Sequence, residues 1–191
     1  DTYYAQQYPV THYTKDRGLP GNQVWGIYQD VQGYMWFCTS SGLIKYNGKS
    51  YKIFGTEDGL LDEIPLGITS DEKRNLWIAY DYGVSRISNG QIKNWKLKES
   101  EGQFTLFIDS YNRIWVHSLF FQGDVLYFLD TTLVNFSEEH SFKNQVIVSI
   151  TEDKEGGILF ITREGKVFRY FANQIKELLI NDLVDSNVRY S

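Results

Sequence analysis

The sequence predicts an all-β protein made of repeated four-stranded units, and three observations lead to that prediction. Aromatic residues are abundant, with 14 Tyr, 12 Phe and 5 Trp in 191 residues, and aromatic side chains favour strands. An acid, a glycine, a tryptophan and a second glycine recur in that order about every 41 residues. The segments around the tryptophans, such as "YMWFCT" and "NLWIAY", are apolar at consecutive positions, which is typical of sheets covered on both faces.

The repeat is best aligned on its acid, and four copies are present. The acids are Asp30, Asp71, Asp109 and Asp153, separated by 41, 38 and 44 residues. Six residues after each acid stand Trp36, Trp77, Trp115 and Leu159. The second glycines are Gly42, Gly83, Gly123 and Gly165. A fixed period near 40 residues is typical of repeat architectures.

Each copy contains four short segments with the character of strands. The first ends at the acid and carries an apolar residue three positions earlier: Ile27, Ile68, Leu106 and Ile150. The second segment contains the tryptophan, and the third follows the second glycine. The fourth carries two apolar residues three apart: Tyr51 and Phe54, Ile92 and Trp95, Leu133 and Phe136, Ile175 and Leu178.

Four-stranded units of about 40 residues that stack face to face describe a β-propeller. The aspartates, with glycines such as Gly33, are expected to shape a tight turn between the first two strands, because Asx side chains bond to nearby backbone. The tryptophans are expected to fill the space between neighbouring blades. The second glycines are expected to reverse the chain into the third strand. For all these residues a structural role is favoured over a catalytic one.

The repeats predict four blades, at about 18–59, 60–100, 101–142 and 143–184. Residues 1–17 have the spacing of an outer strand of an incomplete blade, and 185–191 of the start of a fifth repeat. We therefore expect a partial propeller that belongs to a longer one. The alternative is that two copies associate through their open sheet edges.

Several function classes are disfavoured by composition and motifs. The formal net charge of -5 argues against a nucleic-acid partner. No apolar stretch approaches the ~20 residues of a membrane span, and the single Cys38 lies in an apolar run as a buried, inert thiol. His12, His117 and His140 fall in different units without metal-like spacing, so neither a metal nor another cofactor is expected.

A ligand is expected at the loops that join strand four to strand one and strand two to strand three. These loops mix aromatic with hydrogen-bonding side chains, as sugar sites do. Phe120 and Phe121 are an insertion that the blade geometry does not require. The candidate residues are Asn22, Gln23, Trp25, Asp81, Tyr82, His117, Phe120, Phe121 and Arg163.

The segment from Gly18 to Leu60, "GLPGNQVWGIYQDVQGYMWFCTSSGLIKYNGKSYKIFGTEDGL", closely resembles the two-component regulator propeller repeat. The later repeats resemble it more loosely, with Arg74-Asn75 in place of a usual glycine and Leu159 in place of Trp. That repeat builds the periplasmic sensor region of hybrid two-component histidine kinases in Bacteroidetes-type bacteria.

The resemblance implies a periplasmic sensor that responds to a glycan, and a histidine kinase that this chain lacks. An immunoglobulin-like domain and a membrane helix would lie downstream, so contact with the membrane or with the rest of the receptor would come through those segments. Two alternatives remain open. One is a scaffold that binds a protein partner or a second copy, and the other is a propeller lyase or hydrolase whose activity would depend on His117.

Overall fold

The computed structural model describes residues 20–21, 23–97, 102–119 and 123–179. The predicted outer strand in 1–17 and the predicted start of a fifth repeat in 185–191 lie outside these residues. Within the described part, no helix combines the length and the hydrophobicity needed to cross a membrane.

The described residues form four sheets, each made of four antiparallel strands in chain order. Blade 1 consists of β1 (Val24–Gln29), β2 (Met35–Thr39), β3 (Gly42–Tyr46) and β4 (Tyr51–Phe54). Blade 2 consists of β5 (Gly67–Ser70), β6 (Leu76–Ala79), β7 (Gly83–Ser88) and β8 (Gln91–Lys96). Blade 3 consists of β9 (Phe104–Ile108), β10 (Arg113–Ser118), β11 (Leu126–Leu129) and β12 (Thr132–Asn135). Blade 4 consists of β13 (Ile147–Glu152), β14 (Ile158–Thr162), β15 (Val167–Phe171) and β16 (Gln174–Leu178). The prediction of an all-β propeller with four-stranded antiparallel blades is confirmed.

The hydrophobic core lies between the blades. Trp36 and Cys38 of blade 1 pack with Leu76 and Ile78 of blade 2. Trp77 packs in the same way with Ile114 and Val116, and Trp115 with Ile158 and Phe160. The tryptophans therefore fill the spaces between neighbouring sheets, as the sequence predicted. Cys38 is fully buried in the first of these clusters, and burial raises the pKa of its thiol to about 12.

The aspartates that recur in the four repeats close the turn between the first two strands of each blade. In blade 1, one oxygen of Asp30 accepts hydrogen bonds from the backbone N–H groups of Gln32 and Tyr34, at 3.0 and 2.9 Å. Asp109 accepts the equivalent bonds in blade 3, at 3.0 and 2.9 Å, and Asp153 in blade 4, at 2.9 and 2.8 Å. These Asx-type bonds satisfy backbone donors that the sheet leaves free.

The third residue after each aspartate has a positive φ. The residues are Gly33 (φ 86°), Arg74 (φ 66°), Asn112 (φ 61°) and Gly156 (φ 84°). The glycine expected here from the first repeat is thus a conformational requirement. Arg74 adopts the same left-handed conformation at a cost, because its Cβ is crowded there.

One predicted strand is shorter than the sequence pattern suggested. Phe136 was expected in the fourth strand of blade 3, but it begins the one-turn helix α1 (Phe136–Glu139). The side chain of Asn135 caps this helix by accepting a hydrogen bond from the N–H of Glu138, 3.1 Å away, which favours helix over strand. Phe136 remains fully buried, with its ring 5.1 Å from that of Trp115.

Candidate ligand-binding site

The propeller has two ends, which differ in their connections. We call the end that carries the connections from strand two to strand three and from strand four to the next blade the loop end. The opposite end, with the aspartate turns and the turns between strands three and four, is the turn end. The sequence placed the candidate ligand site at the loop end.

The loop-end candidates that the structure describes are mostly held by backbone contacts. Gln23 is exposed, and its carbonyl accepts a hydrogen bond from the N–H of Ser40 at 3.2 Å. Trp25 is 45% exposed, at an irregularity in the pairing of β1 with β2. The carbonyls of Asp81 and Tyr82 accept bonds from Gly102 and Leu97, at 2.7 and 2.8 Å. These four side chains lie on two segments, Gln23 and Trp25 at the start of blade 1 and Asp81 and Tyr82 between β6 and β7.

Arg163 links blades 3 and 4 at the loop end. Its guanidinium donates a hydrogen bond to the carbonyl of Leu119 at 3.0 Å, and its own N–H donates to the carbonyl of Val146 at 2.9 Å. The remaining candidates, Asn22, Phe120 and Phe121, lie outside the described residues, so the arrangement of this set stays a prediction.

His117 is a packing residue in β10 and is 2% exposed. Its Nδ1 lies 3.0 Å from the carbonyl oxygen of Ile147 in β13. A carbonyl only accepts, so Nδ1 carries the proton and donates. Burial lowers the pKa of His117 to about 4, and the imidazole is neutral at pH 7. This buried ring ties blade 3 to blade 4 and is not presented to a ligand.

Two clefts open at the turn end, where no site was expected from the sequence. The first has a volume of about 420 Å³ between blades 1 and 2 and is lined by polar and cationic groups. Among these are Lys45, Lys73 and Arg74, and the amino group of Lys45 lies 3.9 Å from the centre of the Tyr34 ring. This cleft has more positive than negative side chains.

The second cleft, between blades 3 and 4, has a volume of about 460 Å³, within the range of small-molecule sites. Its walls are aromatic, and it is lined by Tyr111, Tyr127, Leu129, Tyr170 and Phe171 with Arg113 and Asn173. Three of these large apolar side chains are well exposed, Tyr111 at 66%, Leu129 at 56% and Phe171 at 42%. We call this space the blade 3–4 cleft.

The positive charge of Arg113 in the blade 3–4 cleft is neutralised by Asp109. Nε of Arg113 lies 2.5 Å from a carboxylate oxygen of Asp109, whose side chain is fully buried. The same oxygen accepts the indole N–H of Trp115 at 2.7 Å. The guanidinium carbon Cζ of Arg113 lies 5.4 Å from the centre of the Tyr111 ring and 5.6 Å from that of Tyr127. Burial raises the pKa of Tyr127, so its phenol stays neutral.

In blade 4, an arginine makes the contact to the aspartate that a tryptophan makes in the other blades, which the sequence did not reveal. Leu159 stands where the other blades have Trp, and its cross-strand partner is Arg169. Nε of Arg169 lies 2.5 Å from Asp153 and thereby lowers the pKa of that carboxyl. A Cβ at Gly157 would stand 2.7 Å from this nitrogen, so glycine at that position makes room for the arginine. Gly157 just before β14, together with Arg169 in β15, was the available signal.

Comparison with known proteins supports the architecture. Residues 18–41 match the family model described as the two component regulator propeller, which confirms the resemblance over the first part of the first repeat. A search of curated proteins gives no match.

Solved structures show the same fold. Virginiamycin B lyase from Staphylococcus aureus is 18% identical with a TM-score of 0.64, over 84% of this chain and 57% of the lyase chain. The extracellular domain of the hybrid two-component system BT4673 from B. thetaiotaomicron is 19% identical with a TM-score of 0.62, over 84% of this chain and 24% of that domain. PorZ, a surface component of the type-IX secretion system of Porphyromonas gingivalis, is 9% identical with a TM-score of 0.63. The chain thus spans just over half of the lyase and about a quarter of the BT4673 domain.

Proposed function

We propose that this chain is part of the extracellular or periplasmic sensor region of a two-component receptor, and that it recognises an oligosaccharide. The match of residues 18–41 to the two component regulator propeller carries this proposal. The likeness to the extracellular domain of BT4673 supports it at the level of fold.

The chemistry of the blade 3–4 cleft supports a sugar as the ligand. Sugars present apolar C–H faces that pack on aromatic rings and hydroxyl groups that bond to polar side chains. Exposed rings stand beside a guanidinium and an amide in this cleft, as in ligand sites that are largely apolar with a few placed polar groups.

The proposal is tested by thermal unfolding of the chain against a panel of neutral and acidic oligosaccharides. A ligand at about 100 times its dissociation constant stabilises the folded state by about 2.7 kcal/mol. A reproducible rise in melting temperature with at least one oligosaccharide is expected. No shift with any sugar in the panel would overturn the proposal.

A scaffold function is the second candidate, and one observation favours it. Ile27, Phe37, Ile44 and Ile53 form a cross-strand row on the face of blade 1 turned away from blade 2. Ile27 is 61% and Ile53 41% exposed at the two ends of the row, whereas Ile44 between them is fully buried, and exposed apolar side chains promote association. This function would be supported if the mass of the protein in solution rises with its concentration and if Ile53→Asp keeps the monomer mass.

We propose that the chain is not an enzyme, although the lyase shares its fold. His117 is buried, and His140 is held with its ring stacked 4.4 Å from Phe136. Among the described residues, no cluster of three His, Cys, Asp or Glu side chains is arranged to bind a metal. Turnover of an oligosaccharide or of a streptogramin that is lost in His117→Asn would overturn this view.

A further inference from the structure

The sites at successive blade boundaries can be compared position by position, because the strand register is the same in each blade. Three positions meet at the turn end of a boundary. The earlier blade contributes the second residue after its aspartate and the residue paired with its tryptophan. The following blade contributes the first residue of its turn between strands three and four.

At the boundary of blades 2 and 3, these three positions form ion pairs. The residues are Lys73, Arg86, which pairs with Trp77, and Asp130 in the turn after β11. The carboxylate of Asp130 lies 3.3 Å from the amino group of Lys73 and 3.3 Å from Nη2 of Arg86. Charged side chains thus fill this boundary and bridge the two blades.

At the boundary of blades 3 and 4, the same three positions carry no charge. They are Tyr111, Tyr127, which pairs with Trp115, and Ala172 in the turn after β15. All three line the blade 3–4 cleft. The ring of Tyr111 reaches across the boundary, with its hydroxyl 3.8 Å from the Cβ position of Gly156. Two aromatic rings and a methyl group thus stand where the boundary of blades 2 and 3 has its ion pairs. The space between blades 3 and 4 is therefore open and has aromatic walls.

A third cleft shares the lining residue Asn173 with the blade 3–4 cleft. It has a volume of about 540 Å³ and is lined by Glu139, His140, Ser141, Asn173 and Ile175. The amide oxygen of Asn173 lies 3.2 Å from Nε2 of His140 and accepts the hydroxyl of Tyr170 at 3.2 Å. The two clefts therefore share Asn173 in their linings, and one of them is aromatic whereas the other is polar.

We infer that the blade 3–4 cleft is the oligosaccharide site of this chain, with Tyr111 and Tyr127 as the surfaces on which a sugar ring packs. This inference rests on the proposed function and moves the site from the loop end to the turn end. The guanidinium of Arg113 is paired with Asp109, so the cleft adds no net positive charge and favours a neutral sugar. The polar cleft beyond Asn173 gives room for a second ring.

The cleft between blades 1 and 2 provides the matched comparison. Its residues at the three positions are Gln32, Lys45, which pairs with Trp36, and Asn89. A neutral sugar has no aromatic surface at these three positions. Gln32→Ala is therefore a control that changes the equivalent position at another boundary.

The test measures the affinity of the 191-residue chain for the neutral oligosaccharide that gives the largest thermal shift. Tyr111→Ala removes one packing surface. The double variant Tyr111→Lys with Ala172→Asp reproduces the ion pair of the boundary between blades 2 and 3 and fills the cleft. Ala172 has a φ of 49° and Asp130 of 56°, and aspartate tolerates this conformation at least as well as alanine, so the double variant should fold.

At least a tenfold loss of affinity is expected for Tyr111→Ala and for the double variant, with no loss for Gln32→Ala. Unchanged affinity in the folded double variant overturns the cleft assignment and leaves the sensor function standing. Failure of the wild-type chain to bind any oligosaccharide overturns the proposed function and the assignment together. Equal losses in Gln32→Ala and Tyr111→Ala would also overturn the assignment, because they would place the ligand elsewhere.

Discussion

The indole N–H of Trp115 donates a hydrogen bond to the carboxylate of Asp109, six residues earlier, at 2.7 Å. The same bond joins Trp36 to Asp30 at 2.8 Å and Trp77 to Asp71 at 3.0 Å. The aspartate and the tryptophan six residues after it are therefore a hydrogen-bonded pair in these three blades. It connects the turn between the first two strands to the core between blades.

Removal of the aspartate carboxylate should destabilise the protein more in blade 3 than in blade 1. Asp109→Ala would leave the guanidinium of Arg113 and the indole of Trp115 without their buried acceptor. We expect a loss of about 3 to 5 kcal/mol in the free energy of unfolding, as for a broken buried ion pair, measured by urea denaturation. The control is Asp30→Ala, where the acid is partly exposed, with an expected loss of about 1 to 2 kcal/mol. Equal losses in the two variants would contradict the role given to Arg113.

His117 should make stability depend on pH between about 4 and 6.5. Its pKa is lowered from 6.5 to about 4 in the folded state, so in this window the unfolded chain binds a proton that the folded chain does not. Stability then falls as the pH falls, by about 3 kcal/mol in all, since each pKa unit is worth about 1.4 kcal/mol. Urea denaturation at pH 7 and pH 4 measures this loss.

His117→Asn is the control for that measurement, because its amide can donate to Ile147 as Nδ1 does and does not titrate. The variant should lose less stability between the two pH values than the wild type. Asp153, whose pKa is lowered below 3.8, contributes stability that is lost only at still lower pH. Identical pH dependence in the variant and the wild type would refute the assignment to His117.

Arg74→Gly should stabilise the turn of blade 2. Arg74 has a φ of 66°, a conformation that costs a side chain about 1 to 2 kcal/mol, and glycine adopts it freely at some cost in chain entropy. A net gain of up to about 1 kcal/mol is expected in thermal or urea unfolding. Arg74→Ala keeps the strain and should leave stability nearly unchanged, so a gain of the same size in both variants would exclude the backbone explanation.

Gly83→Ala should be strongly destabilising. A Cβ at this position would stand 2.0 Å from the carbonyl oxygen of Trp95 in the neighbouring strand β8. Backbone must move to relieve that contact, and we expect a loss of about 3 kcal/mol or more in the free energy of unfolding. Gly67→Ala is the matched control, because its nearest contact is 3.9 Å away. A loss below about 1 kcal/mol in Gly83→Ala would contradict the expectation.

Sequence alone predicted the features that depend on residues close together in the chain. The aspartate turns, the interblade tryptophans and the order of the strands follow from local spacing, since each turn closes within five residues. The helix at Phe136 was missed because apolar spacing outweighed the capping signal of Asn135. The contact between Arg169 and Asp153 was missed because the two residues are 16 positions apart in the sequence.

The turn-end clefts could not be predicted, because they depend on contacts between blades. Lys73 meets Asp130 across 57 residues, and whether such a pair forms is decided by strand register and blade stacking. The three boundary positions can be aligned between blades only when the register of the strands is known. For the same reason, the ligand site was expected at the loop end, where propellers usually bind their ligands.

The position of the core between the sheets has a consequence for how such a chain can be altered or recombined. Trp77 belongs to blade 2 but packs against Ile114 of blade 3, and Trp115 depends on Phe160 of blade 4 in the same way. A blade thus corresponds to one sequence repeat, but it supplies only half of the residues of each core cluster. A transplanted repeat would therefore have to match the surfaces of two neighbouring blades. Chimaeras should instead exchange the core residues of both sheets that face each other at one boundary.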